Sequence, residues 1–336
     1  MGSWLKRLIA LAALAVLLYL FWPLLGELRK AGPLFSNTRW DWLGAAVLIH
    51  TASYICLAQT NRVLLRPFEG EISLWRMLAI LPAFAFISTA IPSAGASGVV
   101  LRVRYLRQCG YTPESAVFTL ALETIFLATV MTMASLLGVG YLLSSLQLST
   151  NQIIFSLAGA LVLLVLFGIL VYSGMERQRL RRLALLLADR WNQLAARLRK
   201  PPILEQSINQ RIDSFYNGLS NYTLQQLFLA LVFTISCVVL DVISLAACFF
   251  AFTYSIPWSI LLTGYGLMWL LSGLSILPGG LGMADLSLAV VFARLGAPGA
   301  VAVVAALAYR LLAFWLLRFI GFIAWQVLEA RYKSKA

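Results

Sequence analysis

Ile276-Leu277-Pro278-Gly279-Gly280-Leu281-Gly282, followed by Asp285 and farther on by Tyr309-Arg310, breaks an otherwise apolar region. Ile91-Pro92-Ser93-Ala94-Gly95-Ala96-Ser97-Gly98 echoes it in the first third of the chain. Glycine, proline and charge are costly inside a membrane segment. They are tolerated where a helix stops, a cavity opens or a substrate is held. The reading of these two breaks decides the fold.

The surrounding chain is of membrane character. Of 336 residues, 61% are hydrophobic and 12% charged, with mean hydropathy +0.86. A soluble domain is about 45–50% apolar and about 25% charged, so the chain reads as an all-α polytopic membrane protein with a single membrane domain. The net charge of +13 lies mostly between spans and at the termini. That is the positive-inside pattern, and it argues against nucleic acid as a partner. Cys56, Cys109, Cys237 and Cys248 show no metal spacing and read as reduced packing residues. Leu5–Leu20 lacks a clear small-residue cleavage site, with Phe21-Trp22-Pro23 following, and is read as a retained span.

A helical crossing takes about 20 apolar residues. Leu5–Trp22, Trp42–Thr60, a helix from Pro113 to about Leu143, Asn151–Tyr172, Leu224–Thr253 and Pro298–Leu328 supply about six full spans. Thr112-Pro113-Glu114 is a helix start, with proline at the first helical position and an acid in the first turn. Ser173–Tyr222 is the largest polar segment, with nine Arg/Lys against four acids and leucines and isoleucines at helical spacing. It reads either as two amphipathic helices on an anionic membrane surface or as basic helices packed on the bundle.

Met77–Cys109 and Trp258–Leu295 each hold two short apolar arms around a Pro/Gly break. Read as re-entrant hairpins, they put Arg102, Arg104, Arg107, the basic central segment and the basic tail on the cytoplasmic side with both termini. Two full crossings would leave the arginines on that face but make the arms short. The hairpins also match in spacing. Pro92 precedes Gly110 by 18 residues, and Pro278 precedes Gly296 by 18. Glu123 follows its proline by 31 residues and Arg310 its own by 32. The expected organisation is therefore a first span and external loop at 1–41, repeat 1 at 42–145 with hairpin 77–109, a connecting span and basic segment at 146–221, and repeat 2 at 222–336 with hairpin 258–295. Such an inverted-topology repeat is a transporter architecture.

The hairpin tips are Pro92, Gly95, Gly98, Pro278, Gly279, Gly280 and Gly282. Arg102, one turn beyond Gly98, is the leading candidate for a phospholipid headgroup contact. Arg310, in the middle of a long span, is expected to find a partner, with Glu123 across the pseudo-symmetry axis and Asp285 both available. Asp241 also lies deep in a span. Asp241, Asp285 and Glu123 are the candidates for ion or proton coupling, and a structural ion-pair network is the competing reading of all these charges. His50, the single histidine, reads as a packed polar residue before a proton relay. Motifs of hydrolases, nucleotide-binding enzymes and metal sites are missing, so neither enzymatic activity nor a cofactor or metal is expected.

Leu277–Asp285, Gly296 and Ala308-Tyr309-Arg310-Leu311-Leu312 resemble the lysylphosphatidylglycerol synthase transmembrane family, the flippase-like domain proteins. Pro92 to Gly98, Arg102 and Glu123 resemble that family's first-half motif. Asp285 stands where the family usually has Glu. The resemblance implies a protein of the bacterial inner membrane that moves or binds lipids, and Arg102 with the basic segment makes anionic headgroups the expected ones. The synthases' aminoacyl-transferase domain is not expected in a chain ending at Ala336, so their chemistry is not carried over. The leading expectation is a lipid translocator with Arg102, Glu123, Asp285 and Arg310 lining a polar mid-membrane cavity. The alternative is a non-transporting lipid-binding scaffold for an envelope lipid-modifying enzyme. A homo-oligomer is left open.

Overall fold

The computed structural model describes residues 36–91, 96–144, 204–273 and 283–333, with scattered positions between 178 and 192. The expected spans at Leu5–Trp22 and Asn151–Tyr172, and the break residues Pro92, Gly95, Pro278, Gly279, Gly280 and Gly282, lie outside the described residues.

The described residues are helical and carry no strand. They form α1 (Trp40–Leu65), α2 (Leu74–Ala90), α3 (Ala96–Arg107), α4 (Pro113–Ser144), α5 (Glu205–Ser220), α6 (Leu224–Ala251), α7 (Trp258–Gly273), α8 (Met283–Arg294) and α9 (Gly299–Arg310). A π-helical turn, Leu311–Leu316, joins α9 to α10 (Leu317–Lys333). Among the described residues, four stretches are long and apolar enough to cross a membrane: Trp40–Leu65, Pro113–Gly140, Leu224–Ala251 and Gly299–Ala330. At 1.5 Å per residue, the 17 residues of α2 reach about 25 Å, short of a hydrocarbon core of about 30 Å. The 12 residues each of α3 and α8 reach only about 18 Å.

Local chemistry sets the helix ends. Ser73 and Thr223 cap α2 and α6 by accepting the backbone N–H of the third helical residue, and Gln226 completes a capping box with Thr223. Thr112 caps α4, accepting from Ser115 N at 3.2 Å, and Pro113 takes the first helical position as its missing N–H allows. The short helices α3 and α8 stop in the same way. Gly110 N–H donates to Arg107 O while Tyr111 N–H donates to Leu106 O. Gly296 N–H donates to Ala293 O while Ala297 N–H donates to Phe292 O. Both glycines sit at positive φ, +89° and +108°, which is the Schellman stop that glycine adopts without Cβ strain.

Between helices, small residues and hydroxyls permit close approach, as lipid offers no hydrophobic drive to hold helices together. α1 and α6 form the most extensive pair. Ser244 Oγ donates to Ala46 O (2.9 Å), Ser53 Oγ to Cys237 O (3.0 Å), and the Thr60 and Thr234 hydroxyls meet at 3.4 Å. As the α1 numbers rise the α6 numbers fall, so the two helices run antiparallel. α2 packs against α10 and α4 against α7. A Cβ on Gly321 would lie 2.1 Å from the Pro82 carbonyl, and one on Gly138 would lie 2.6 Å from Thr263 N. Outward faces stay apolar: Leu48, Phe228, Leu311 and Phe319 are exposed. Trp40, Trp75 and Trp258, at or near the starts of α1, α2 and α7, are exposed too, as befits interfacial tryptophans.

In the basic segment, Ile208 and Ile212 of α5 are buried against Ala188, and Gly218 approaches the Phe118 ring of α4. Part of the apolar face expected to meet lipid is thus covered by protein.

Candidate functional site

Two buried polar clusters sit among the apolar helices, one in each half of the described bundle. The first joins α1, α3 and α4. Arg102 is 1% exposed and Glu123 6% exposed. Arg102 Nη1 donates to Glu123 Oε2 at 2.8 Å, and its Nη2 donates to Asn61 Oδ1. Asn61 turns its amide to the Leu57 carbonyl at 2.9 Å, which orients the oxygen toward the arginine. The guanidinium also lies 5.8 Å from the Phe84 ring centroid on α2. A buried guanidinium without a counter-charge costs several kcal/mol. Here the charge is met by Glu123 and both Nη atoms are hydrogen-bonded, while Nε is buried without a partner among the described residues; a headgroup would reach the Nη atoms only by displacing Glu123 or Asn61. Glu123 is thus paired within its own half, rather than across to Arg310.

Arg104 and Tyr105 of α3 face α10. Arg104 lies 3.2 Å from Glu329 of α10, and the Tyr105 hydroxyl donates to the other Glu329 oxygen at 3.1 Å.

The second cluster joins α1, α6, α7 and α9. Tyr265 donates its hydroxyl to Asp241 Oδ2 at 2.9 Å. His50 Nδ1 lies 2.8 Å from Asp241 Oδ1, in ion-pair range but off the line of a hydrogen bond. Tyr309 sets its ring edge-on to both His50 and Tyr265, with centroids 6.3 Å apart in each pair. The His50 and Asp241 side chains are 13% and 19% exposed, so this cluster is less completely sealed than the first. His50 Nε2 is buried and has no hydrogen-bond partner among the described residues.

That opening is a cavity of about 190 Å³. His50, Thr51 and Tyr54 of α1 form its polar wall. Leu78 and Pro82 of α2, with Leu312, Leu316, Leu317 and Ile320 of the last span, form its apolar walls. Pro82 has no N–H for the Leu78 carbonyl one turn back, so the α2 wall is built where that helix is weakest. Facing it is the π turn, a local irregularity that often accompanies functional sites.

Arg310 ends α9 just before this turn and is buried. Its guanidinium lies 4.3 Å from the Phe314 ring centroid, and Arg318 approaches the same ring at 3.8 Å. Arg102, Glu123 and Arg310 are not among the residues that line this cavity. Asp285 belongs to α8, and its side chain lies outside the described residues. Among the described residues, no group of three His, Cys, Asp or Glu side chains has the proximity to hold a metal.

Sequence reasoning singled out Arg102, Glu123, Asp241 and Arg310. It missed Asn61, Tyr265 and Arg318, and it weighed His50 mainly as packing. A single histidine and a single aspartate placed deep in separate apolar spans were a usable clue, since each needs a partner there.

Two comparisons bear on the chain. The sequence profile of a family described as the lysylphosphatidylglycerol synthase TM region matches residues 7–321. A UPF0104 membrane protein from Methanothermobacter thermautotrophicus is 27% identical over 330 residues, covering 95% of this chain and 93% of its own.

Proposed function

The chain belongs to the lysylphosphatidylglycerol synthase transmembrane family, and from that premise we propose that it is a lipid translocator. It carries the headgroup of an anionic phospholipid or lipid-linked substrate across a prokaryotic plasma membrane. The acyl chains stay in the bilayer, both termini are cytoplasmic, and no covalent chemistry is performed.

The observation that carries this reading is the cavity. It lies between two helices of membrane-crossing length and the shorter α2, with hydroxyls and an imidazole on one wall and leucines, proline and isoleucine on the others. Such a surface suits an amphipathic molecule whose polar end must be held at depth.

The helix boundaries support a repeated, inverted scaffold. Gly296 stands 186 residues after Gly110. Shifting α1 through α4 by that amount gives 226–251, 260–276, 282–293 and 299–330. The second-half helices occupy 224–251, 258–273, 283–294 and, through the π turn, 299–333. The antiparallel α1–α6 pair is what inverted units require of their first helices. The packing of α2 on α10 and of α4 on α7 exchanges arms between units. The short α2–α3 and α7–α8 pairs are the re-entrant hairpins of this reading, and Arg310 and Asp285 belong to its polar path.

Reconstitution into liposomes with head-labelled phosphatidylglycerol tests the proposal. The full chain should move label between leaflets, and Thr51→Trp, which fills the cavity, should slow movement about tenfold or more, a barrier rise of about 1.4 kcal/mol. Arg310→Ala should slow it as well. Protein-containing liposomes no faster than empty ones, with an envelope enzyme co-purifying, would favour a scaffold instead.

A further inference from the structure

We infer that His50 and Asp241 form a proton-binding site whose protonation is linked to occupancy of the neighbouring cavity by an anionic headgroup. The inference rests on the reading of that cavity as the lipid path.

His50 stands between two environments. On one side its Nδ1 lies 2.8 Å from Asp241 Oδ1, while Asp241 spends its other oxygen on the Tyr265 hydroxyl. Oδ1 thus faces the imidazole without accepting a hydrogen bond, and an imidazolium beside a carboxylate makes a neutral pair. On the other side His50 lines the cavity, and its Nε2 is buried without a partner among the described residues. Nε2 is enclosed in protein, so an occupant of the cavity acts on the charge of the ring across the wall. An imidazolium there attracts a phosphate or carboxylate, and a neutral imidazole does so far less.

The surroundings leave the proton dependent on the occupant. α6 contributes Cys237 one turn before Asp241, α7 contributes Tyr265, and α9 contributes Tyr309 and Arg310. α1 and α10 contribute Tyr54 and Arg318, which act on each other, while α2 presents only Leu78 and Pro82 to the cavity. Glu123 reaches Tyr54 and Cys237 electrostatically but is neutralised by Arg102 at 2.8 Å. Asp241 is therefore the carboxylate at direct ion-pair distance from His50 among the described residues. An anion in the cavity favours a proton on His50. By linkage, whatever a proton adds to headgroup affinity, the headgroup adds to proton affinity. Binding takes a proton up, and release of the headgroup lets it go.

His50 is the single histidine, so histidine-labelled full-length protein gives the resonances of one imidazole. Its titration is to be followed by NMR in nanodiscs of phosphatidylglycerol and of phosphatidylcholine, at about 0.5 M salt to screen surface potential. The midpoint should lie higher in phosphatidylglycerol. Thr51→Trp should shrink that difference. Asp241→Asn should lower the midpoint in both lipids, and Tyr265→Phe should raise it by leaving more negative charge on Asp241. A midpoint equal in the two lipids, or unmoved by Asp241→Asn, overturns the inference. The liposome assay reports separately. Translocation without a lipid-dependent titration removes the proton link and leaves the translocator. A lipid-dependent titration without translocation leaves the linked site and removes the translocator.

Discussion

The Arg102–Glu123–Asn61 cluster and the His50–Asp241–Tyr265 cluster are alike in composition and opposite in setting. Each gathers a base, an acid and a neutral polar group from separate helices among apolar neighbours. The first is sealed, its arginine met by Glu123 and Asn61. The second borders a cavity and leaves an imidazole nitrogen without a protein partner among the described residues. The lesson is that a buried charge announces a function only when its geometry leaves something for a ligand to do. Each cluster leaves a buried nitrogen unpartnered among the described residues, so it is the cavity beside His50 that separates a pair holding helices in register from one that can change state.

Four substitutions would break or sharpen this contrast. The largest effect is expected from Glu123→Ala, which strands a guanidinium among apolar side chains. A loss of about 3–5 kcal/mol, read as a lower unfolding temperature in detergent, should be largely reversed by adding Arg102→Met. If Glu123→Ala leaves stability unchanged, the first cluster is not structural. Next comes Gly321→Val, which drives side-chain atoms into the Pro82 carbonyl. Overpacking should cost about 1–3 kcal/mol and perturb the cavity wall beside it, so stability and lipid movement should fall together. Asp241→Asn keeps the shape and an acceptor for Tyr265. Its stability cost should be near 1 kcal/mol, well below that of Glu123→Ala, while lipid movement drops steeply. Equal stability losses in the two would erase the distinction drawn between the clusters. The smallest effect belongs to Ser53→Ala, which removes one α1–α6 hydrogen bond. About 0.6 kcal/mol is the usual value inside a membrane, and lipid movement should be unaffected.

Outside the clusters, burial beside the α3–α4 turn pushes the Tyr111 hydroxyl above its ordinary range. A group whose pKa is raised in the fold contributes its stabilisation at lower pH and loses it as pH climbs through the folded value. Mild alkali should therefore leave this turn intact.

Much of the frame was legible in the chain. Thr112-Pro113-Glu114 begins a helix where expected, because capping and proline geometry act within a few residues. Gly110 and Gly296 could be matched by spacing because each ends a short helix at positive φ. Four of the expected spans correspond to described helices of crossing length. Partner choice was not legible. Glu123 was matched with Arg310 by counting from the two prolines, yet the 186-residue offset of the helices brings Tyr309 to its position, and its partner is Arg102, 21 residues away on another helix.

What the sequence determined by itself is the material: apolar spans, two Pro/Gly breaks, helix stops and a few charges too costly to leave alone in lipid. These are consequences of local backbone preference and transfer free energy, which each segment carries wherever it lies. Tertiary structure decided which charges cancel and which remain available. Pairing depends on helix crossings and rotations that bring residues such as His50 and Asp241 within 2.8 Å across 191 positions of chain, and no local preference encodes that distance.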